Sequence, residues 1–125
     1  MPEKSDLIWL FFKTSGRVSR AAYFLGVMLV TIVQAFPIYH FGRAPEGSPE
    51  SETWWAISAV VFIGSLWPFF ALAVKRLHDL DKPGIVSLVL FVPVVSILAF
   101  LVLCLYPGQP TPNRFGRRSN APADD

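Results

Sequence analysis

Apolar residues occur along this chain in three long blocks that are separated by short polar segments. The blocks lie at about residues 21–41, 54–74 and 85–106. An α-helix rises about 1.5 Å per residue, so a block of roughly 20 apolar residues can cross the hydrocarbon core of a bilayer, which is about 30 Å thick. The pattern therefore predicts three transmembrane helices.

A shorter apolar run, Leu7 to Phe12, precedes the first block and is too short to span a membrane. Lys13, Arg17 and Arg20 follow this run, and such a mixture predicts an amphipathic segment that lies in the membrane interface. A signal peptide is the alternative. However, the next block is longer than the apolar region of a signal peptide, and Gln34-Ala35-Phe36-Pro37 is a poor cleavage site, so a retained anchor is preferred.

Composition supports a membrane protein over a soluble one. Hydrophobic residues make up 53% of the chain and charged residues only 16%, whereas a soluble domain has about 25% charged residues. We predict an all-α integral membrane protein with an interfacial segment at 1–20, a membrane domain at 21–106 and a polar tail at 107–125. The tail is rich in proline and glycine, which exclude a helix at its start and predict that it is largely disordered.

Lysine and arginine are distributed unequally between the predicted loops, and the side that is richer in them is normally cytoplasmic. The loop between the first two blocks has Arg43 alone. Seven cations lie before the first block or directly after the second: Lys4, Lys13, Arg17, Arg20, Lys75, Arg76 and Lys82. The N-terminus is therefore predicted to be cytoplasmic. Three spans place the three arginines of the tail outside. The cytoplasmic side then has seven lysines and arginines and the outer side four, instead of one.

A re-entrant third block, with Pro93 near its middle, is the alternative topology. It would return the tail to the cytoplasmic side and make the distribution ten against one. However, 22 residues are too few to cross twice, and re-entrant backbone must be shielded by protein. Three spans are therefore the predicted topology.

Few residues have a pattern that is typical of catalysis or metal binding. Cys104 has no second cysteine with which to form a disulfide or a metal pair. The acidic loop at Glu46, Glu50 and Glu52 is more typical of a solvated loop than of a cation site. His78 and Asp79 are adjacent, which places them about 100° apart on a helix rather than on one face. There is no nucleophile motif or phosphate-binding loop, so we predict no enzyme activity, metal or cofactor. Nucleic-acid binding would require a basic stripe on a soluble fold, which this sequence does not indicate, so we predict no nucleic-acid partner.

Three polar motifs together resemble those of a known family. The motifs are Gly16-Arg17-Val18-Ser19-Arg20-Ala21-Ala22-Tyr23-Phe24-Leu25-Gly26, then Lys75-Arg76-Leu77-His78-Asp79, then Pro112-Asn113-Arg114-Phe115-Gly116. Their order and spacing resemble the DUF805 family of small bacterial inner-membrane proteins, whose function is not established. Family members commonly have an aromatic pair after the glycine that follows the second motif, whereas Gly84 is followed here by Ile85-Val86. The resemblance implies a multi-pass location in the bacterial inner membrane and supplies no reaction.

The charged motif residues lead to two functional hypotheses. In the first, the protein is a scaffold or accessory subunit that binds a protein or anionic lipid headgroups at its cytoplasmic face, because cations near a membrane surface attract anionic lipid. The same charges could instead serve only to set topology. In the alternative hypothesis, the protein is a small transporter or channel subunit that acts as a homo-oligomer, although no ionisable residue lies deep in a predicted span. The predicted binding residues are Arg17, Arg20, Arg76, His78, Asp79, Asn113 and Arg114.

Within the second motif, Asp79 has two candidate partners on its own helix. Arg76 is three residues before Asp79 and Lys75 is four residues before it, and both spacings allow side chains to meet on a helix. An N-terminal arginine is a third candidate. We predict that Asp79 pairs with Arg76 or with an arginine of the first motif.

Overall fold

A computed structural model of the chain describes residues 4–123, so the first three residues of the predicted N-terminal segment and the last two of the tail lie outside it. The described residues form α1 (Lys4–Phe12), α2 (Arg20–Arg43), α3 (Pro49–Asp79), a 3₁₀ helix (Gly84–Phe91) and α4 (Pro93–Leu105). Two isolated β-bridges are present, but no strand is found between residues 4 and 123. The all-α prediction is confirmed over this range.

The two longest helices begin at well-defined caps. The Ser19 hydroxyl accepts a hydrogen bond from the Ala22 N–H at 3.2 Å, and the Ser48 hydroxyl accepts one from the Ser51 N–H at 3.1 Å. Each cap satisfies an N–H group that the first helical turn cannot pair internally. Both α2 and α3 are long and apolar enough to cross a membrane by length and composition, and they contain the first two predicted spans.

The core lies where α2 begins and α3 ends, which we call the cap end of the helix pair. Seven buried side chains form it: Val18, Tyr23, Val27, Leu72, Ala73, Leu77 and Leu103. The α2 and α3 backbones approach closely here, since a Cβ atom on Gly26 would lie 3.0 Å from Leu72 Cδ2. Elsewhere both helices expose large apolar side chains, including Ile32 at 66% and Val60 at 71%.

Residues 84–105 form a hairpin whose two legs are the 3₁₀ helix and α4. Gly84, at the start of the first leg, lies against Val74, because a Cβ atom on this glycine would lie 2.8 Å from Val74 Cγ1. At the end of the second leg, the Leu105 carbonyl accepts a hydrogen bond from Arg20 Nη1 at 2.9 Å. Both ends of the hairpin therefore lie at the cap end. At about 2.0 Å and 1.5 Å per residue, the legs are roughly 16 Å and 20 Å long, shorter than a bilayer's hydrocarbon core.

The prediction of one continuous helix over 85–106 is therefore wrong, and the count of three spans is not confirmed. Pro93 has no N–H to donate to a preceding turn, and its ring disfavours a helical conformation at the residue before it. Val92 accordingly has φ −93° and ψ 117°, which ends the 3₁₀ helix and begins α4. The apolar composition of the block was correctly identified, but its path was not.

The tail, which we define as residues 107–123, packs against the loop between α1 and α2. The Arg17 N–H donates to the Ala121 carbonyl at 3.2 Å, and the Asn120 N–H donates to the Arg17 carbonyl at 2.7 Å. Gly116 and Ala121 are buried. These contacts give this part of the tail defined partners, whereas the sequence led us to expect a largely disordered tail. The prolines and glycines exclude a helix, as predicted, but they leave backbone carbonyls free to accept hydrogen bonds from buried side chains.

Candidate functional site: a buried arginine–aspartate cluster

Arg17, Arg76 and Asp79 form a buried charged cluster at the cap end. Arg17 Nε lies 3.0 Å from Asp79 Oδ1, and Arg76 Nη1 lies 2.8 Å from Asp79 Oδ2. The three residues are 1%, 0% and 2% exposed. Of the candidate partners of Asp79, Arg76 and Arg17 of the first motif both pair with it.

The remaining donors of Arg17 bind the tail. Arg17 Nη1 donates to the Thr111 carbonyl at 2.9 Å and to the Gly116 carbonyl at 3.2 Å, and Nη2 donates to the Gln109 carbonyl. All of these acceptors are backbone groups in the irregular segment after α4. Arg17 therefore connects the loop before α2 to both the end of α3 and the tail.

The remaining donors of Arg76 bind the end of the hairpin. Arg76 Nε donates to the Leu103 carbonyl at 2.7 Å, and Nη2 donates to the Tyr106 carbonyl. Carbonyl groups in the last turn of a helix lack partners within the helix, and its dipole favours a cation at this end. Arg76 thus supplies a positive charge and hydrogen bonds where α4 ends, which helps to return the hairpin to the cap end.

The cluster carries two positive charges and one negative charge in a place without water contact. Removing charges from water costs several kcal/mol for each ion unless geometry and hydrogen bonds compensate. Here compensation comes from four different segments: the loop before α2, the end of α3, the end of α4 and the tail. The cluster is consequently formed only when these segments are assembled.

Lys75 makes a separate connection to α1 rather than pairing with Asp79. Its Nζ donates to the Trp9 and Leu10 carbonyls and lies 4.4 Å from the centre of the Trp9 ring. Both carbonyls belong to the last turn of α1, where a cation donates hydrogen bonds to the carbonyl groups of the helix end and interacts favourably with the helix dipole. Lys75 is fully buried and attaches α1 to α3.

His78 and Asn113 connect the second motif to the third. The His78 ring stacks on Phe115 with the ring centres 4.0 Å apart, and its Nδ1 lies 2.9 Å from the Gly16 carbonyl. Asn113 Nδ2 donates to the His78 carbonyl at 2.9 Å, while its Oδ1 accepts from the Phe115 N–H at 2.9 Å. The three motifs are therefore in direct contact, although they are far apart in the sequence.

Arg20 and Arg114, in contrast, are exposed. Arg114 lies 3.5 Å from Asp81 in an ion pair whose side chains are 62% and 41% exposed. Of the seven residues predicted to bind a partner, the structure brings Arg17, Arg76, His78, Asp79 and Asn113 into one internal network. It places Arg20 and Arg114 at the surface of the same end.

Sequence reasoning missed the role of two glycines in this site. A Cβ atom on Gly108 would lie 1.8 Å from Asp79 Oδ2, and one on Gly16 would lie 2.3 Å from the Ala121 carbonyl oxygen. Gly16 also has a φ of +96°, a conformation that side chains rarely allow. Gly108 was considered only as a turn former, since a sequence does not show which side chain will lie above a glycine. Among the described residues, no group of three or more His, Cys, Asp and Glu side chains could hold a metal ion.

A family model whose description is "Protein of unknown function (DUF805)" matches residues 11–117. The chain belongs to the DUF805 family. The matched range contains all three motifs and every residue of the cluster. No solved structure matches the chain.

Two curated relatives of the chain have the name of an inner-membrane protein. The chain is 37% identical over 60 residues to "Inner membrane protein YhaI" of Escherichia coli (strain K12), and the protein of the same name from Escherichia coli O157:H7 gives the same match. The alignment covers 48% of this chain and 51% of each relative. The chain thus spans about half the length of the curated relatives it matches.

Proposed function

We propose that this DUF805 protein is an inner-membrane protein in which α2 and α3 cross the bilayer and the hairpin is re-entrant. The location is supported by the name of the relatives and by the two long apolar helices. The topology is supported by the hairpin, whose two ends lie at the cap end and whose legs are too short to cross. The described segments before α2 and after α4 then lie on one side of the membrane.

The distribution of charge supports a cytoplasmic position for the cap end. In this topology ten lysines and arginines and six carboxylates lie on the side of the cap end, while Arg43 and three glutamates lie on the other. Lysine and arginine, rather than net charge, determine orientation. The ten-against-one distribution fits a cytoplasmic cap end better than the seven-against-four distribution of a three-span protein.

In this arrangement the protein serves as a non-enzymatic scaffold that binds anionic lipid headgroups at its cap end. The observation that carries this function is the division of the cations into two groups. Arg17 and Arg76 have their donors satisfied within the chain, whereas Arg20, Lys82, Arg114 and Arg117 are exposed at the same end. Cations next to a membrane surface gain about 1 kcal/mol each from anionic lipid, and arginine can hold a phosphate with two parallel hydrogen bonds.

Replacing Arg114 and Arg117 together by glutamine is expected to weaken binding of anionic lipid about 30-fold, because two favourable contacts of about 1 kcal/mol each are removed. The test is native mass spectrometry of the protein extracted from vesicles that contain phosphatidylcholine and phosphatidylglycerol. The fraction of protein that retains phosphatidylglycerol is compared between wild type and variant.

Arg43→Gln is the matched control, because Arg43 is exposed at the opposite end of α2. This control is expected to retain phosphatidylglycerol as the wild type does. Equal loss of phosphatidylglycerol in both variants would show that positive charge promotes lipid binding at either end of the protein. Retention that is unchanged in the Arg114→Gln, Arg117→Gln variant would rule out the proposed surface.

A further inference from the structure

A groove of about 540 Å³ lies between α3 and the hairpin, with part of α2 at its base. This volume is in the range of small-molecule sites. Six of the fourteen described residues that line it are aromatic: Tyr23, Phe62, Phe69, Phe70, Phe91 and Phe100. None of the fourteen has a charged side chain at neutral pH.

The groove is closed towards the cap end and open at the other. Tyr23, Ala73 and Ser87 are 3%, 0% and 1% exposed, whereas Phe62 and Ile97 are 59% and 65% exposed. Phe62 is 17 residues before Asp79, which corresponds to roughly 26 Å along α3. In the proposed topology, on which this inference rests, the opening therefore faces the hydrocarbon interior.

Ser87 gives the closed part of the groove an unused polar group. Its Oγ is buried and has no hydrogen-bond partner among the described residues. A buried hydroxyl without a partner costs free energy, and a ligand that supplies an acceptor would remove this cost. Ser87 is three residues from the start of the 3₁₀ helix, which corresponds to about 6 Å along the helix axis from the cap end.

These features define the chemistry of an occupant. A ligand that enters through hydrocarbon must be soluble in the membrane and carry no charge, since a charged group at that depth is costly. A groove rich in aromatic rings favours a flat conjugated ring, and Ser87 requires an acceptor. We propose that the groove binds a neutral, lipid-soluble compound of the quinone class, with Ser87 Oγ donating to one of its carbonyl groups.

Binding of decylubiquinone by the purified protein in nanodiscs tests this proposal, with decylbenzene as the comparison ligand. Decylbenzene has the same chain on a ring without an acceptor. Ser87→Ala is expected to weaken decylubiquinone binding about three- to tenfold, the loss of one hydrogen bond, and to leave decylbenzene binding unchanged. Leu66→Trp, which places a larger ring in the lining, is expected to abolish binding of both ligands.

Two controls separate this result from loss of folding or of the proposed function. Ser87→Ala is expected to keep or raise the melting temperature of the empty protein, because it removes a hydroxyl without a partner. Ser58→Ala removes a hydroxyl that already donates to the Trp54 carbonyl at 2.8 Å, and it is expected to leave quinone binding unchanged. Phosphatidylglycerol retention is measured in the same samples and should be independent of Ser87.

The proposal is overturned if decylubiquinone does not bind. It is equally overturned if both ligands bind with the same affinity, which would indicate a groove for any apolar chain, or if Ser87→Ala binds decylubiquinone as tightly as the wild type. The lipid-binding function would survive each of these results.

Discussion

Replacing Asp79 by alanine is expected to lower the free energy of unfolding in detergent micelles by about 3–5 kcal/mol. The substitution leaves Arg17 and Arg76 buried without a counter-ion, since Asp79 is the carboxylate that lies within 3.0 Å of both side chains. Unfolding by titration with sodium dodecyl sulfate, followed by tryptophan fluorescence, measures the effect. An unchanged midpoint would contradict the buried cluster.

Two further variants show whether the loss comes from the cluster itself. Asp81→Ala removes an exposed ion pair with Arg114 at 3.5 Å and should cost less than about 1 kcal/mol. Adding Arg17→Met to Asp79→Ala is expected to restore part of the lost stability, because it removes one of the two cations left without a partner. If the double variant instead loses the sum of the two single effects, Arg17 acts independently of Asp79.

Gly108→Ala is expected to detach the tail and to cost about 2–3 kcal/mol, since overpacking a well-packed position has this magnitude. The added Cβ atom would lie 1.8 Å from Asp79 Oδ2 and 3.1 Å from Arg76 Nη1. Neither group can move without loss of a buried hydrogen bond. Limited trypsin digestion of the protein in micelles measures the effect. Detachment frees the backbone around the tail's arginines to enter the protease, so we expect at least about tenfold faster cleavage.

Gly42→Ala is the matched control for this substitution. No atom lies within 4 Å of a Cβ atom built at Gly42, which is part of α2. The control should leave tail cleavage unchanged and keep or slightly raise stability, because alanine is the better helix former. Equal cleavage rates for Gly108→Ala and the wild type would show that the tail does not depend on contact with Asp79.

The helices with the strongest apolar pattern were predicted well from the sequence. The first two blocks form α2 and α3, and Ser19, two residues before the first block, caps α2. Pro68, inside the second block, is buried and lines the same cavity as Phe11 and Phe12 of α1. Block length and capping are local properties, so they can be determined without knowledge of the fold.

The path of the third block depends on contacts that are distant in the sequence. Its length and apolarity equal those of a spanning helix, and Pro93 alone does not distinguish a kink from a turn. What distinguishes them is the position of the Leu103, Leu105 and Tyr106 carbonyls beside Arg76 and Arg20. A sequence pattern does not contain this information, because the acceptors are backbone groups that every residue possesses.

The motif residues were recognised, but their partners were not. Charged residues at the end of a span are usually solvated, so a binding surface was the natural prediction for Arg17 and Arg76. The tail supplies backbone carbonyl acceptors to Arg17, and the end of the hairpin supplies them to Arg76. The sequence does not reveal these acceptors, because every residue has a backbone carbonyl. The proposed binding of anionic lipid therefore rests on the exposed cations, which are Arg20, Lys82, Arg114 and Arg117.

The side of the membrane on which the tail lies tests the account most directly. Two single-cysteine variants, Glu46→Cys in the loop between α2 and α3 and Ala123→Cys in the tail, are made with Cys104 replaced by alanine. Each is labelled in intact spheroplasts with a membrane-impermeant maleimide, before and after permeabilisation. We expect the cysteine at position 46 to be labelled from outside and the one at position 123 only after permeabilisation. Labelling of both from outside would indicate three spans and contradict the re-entrant hairpin.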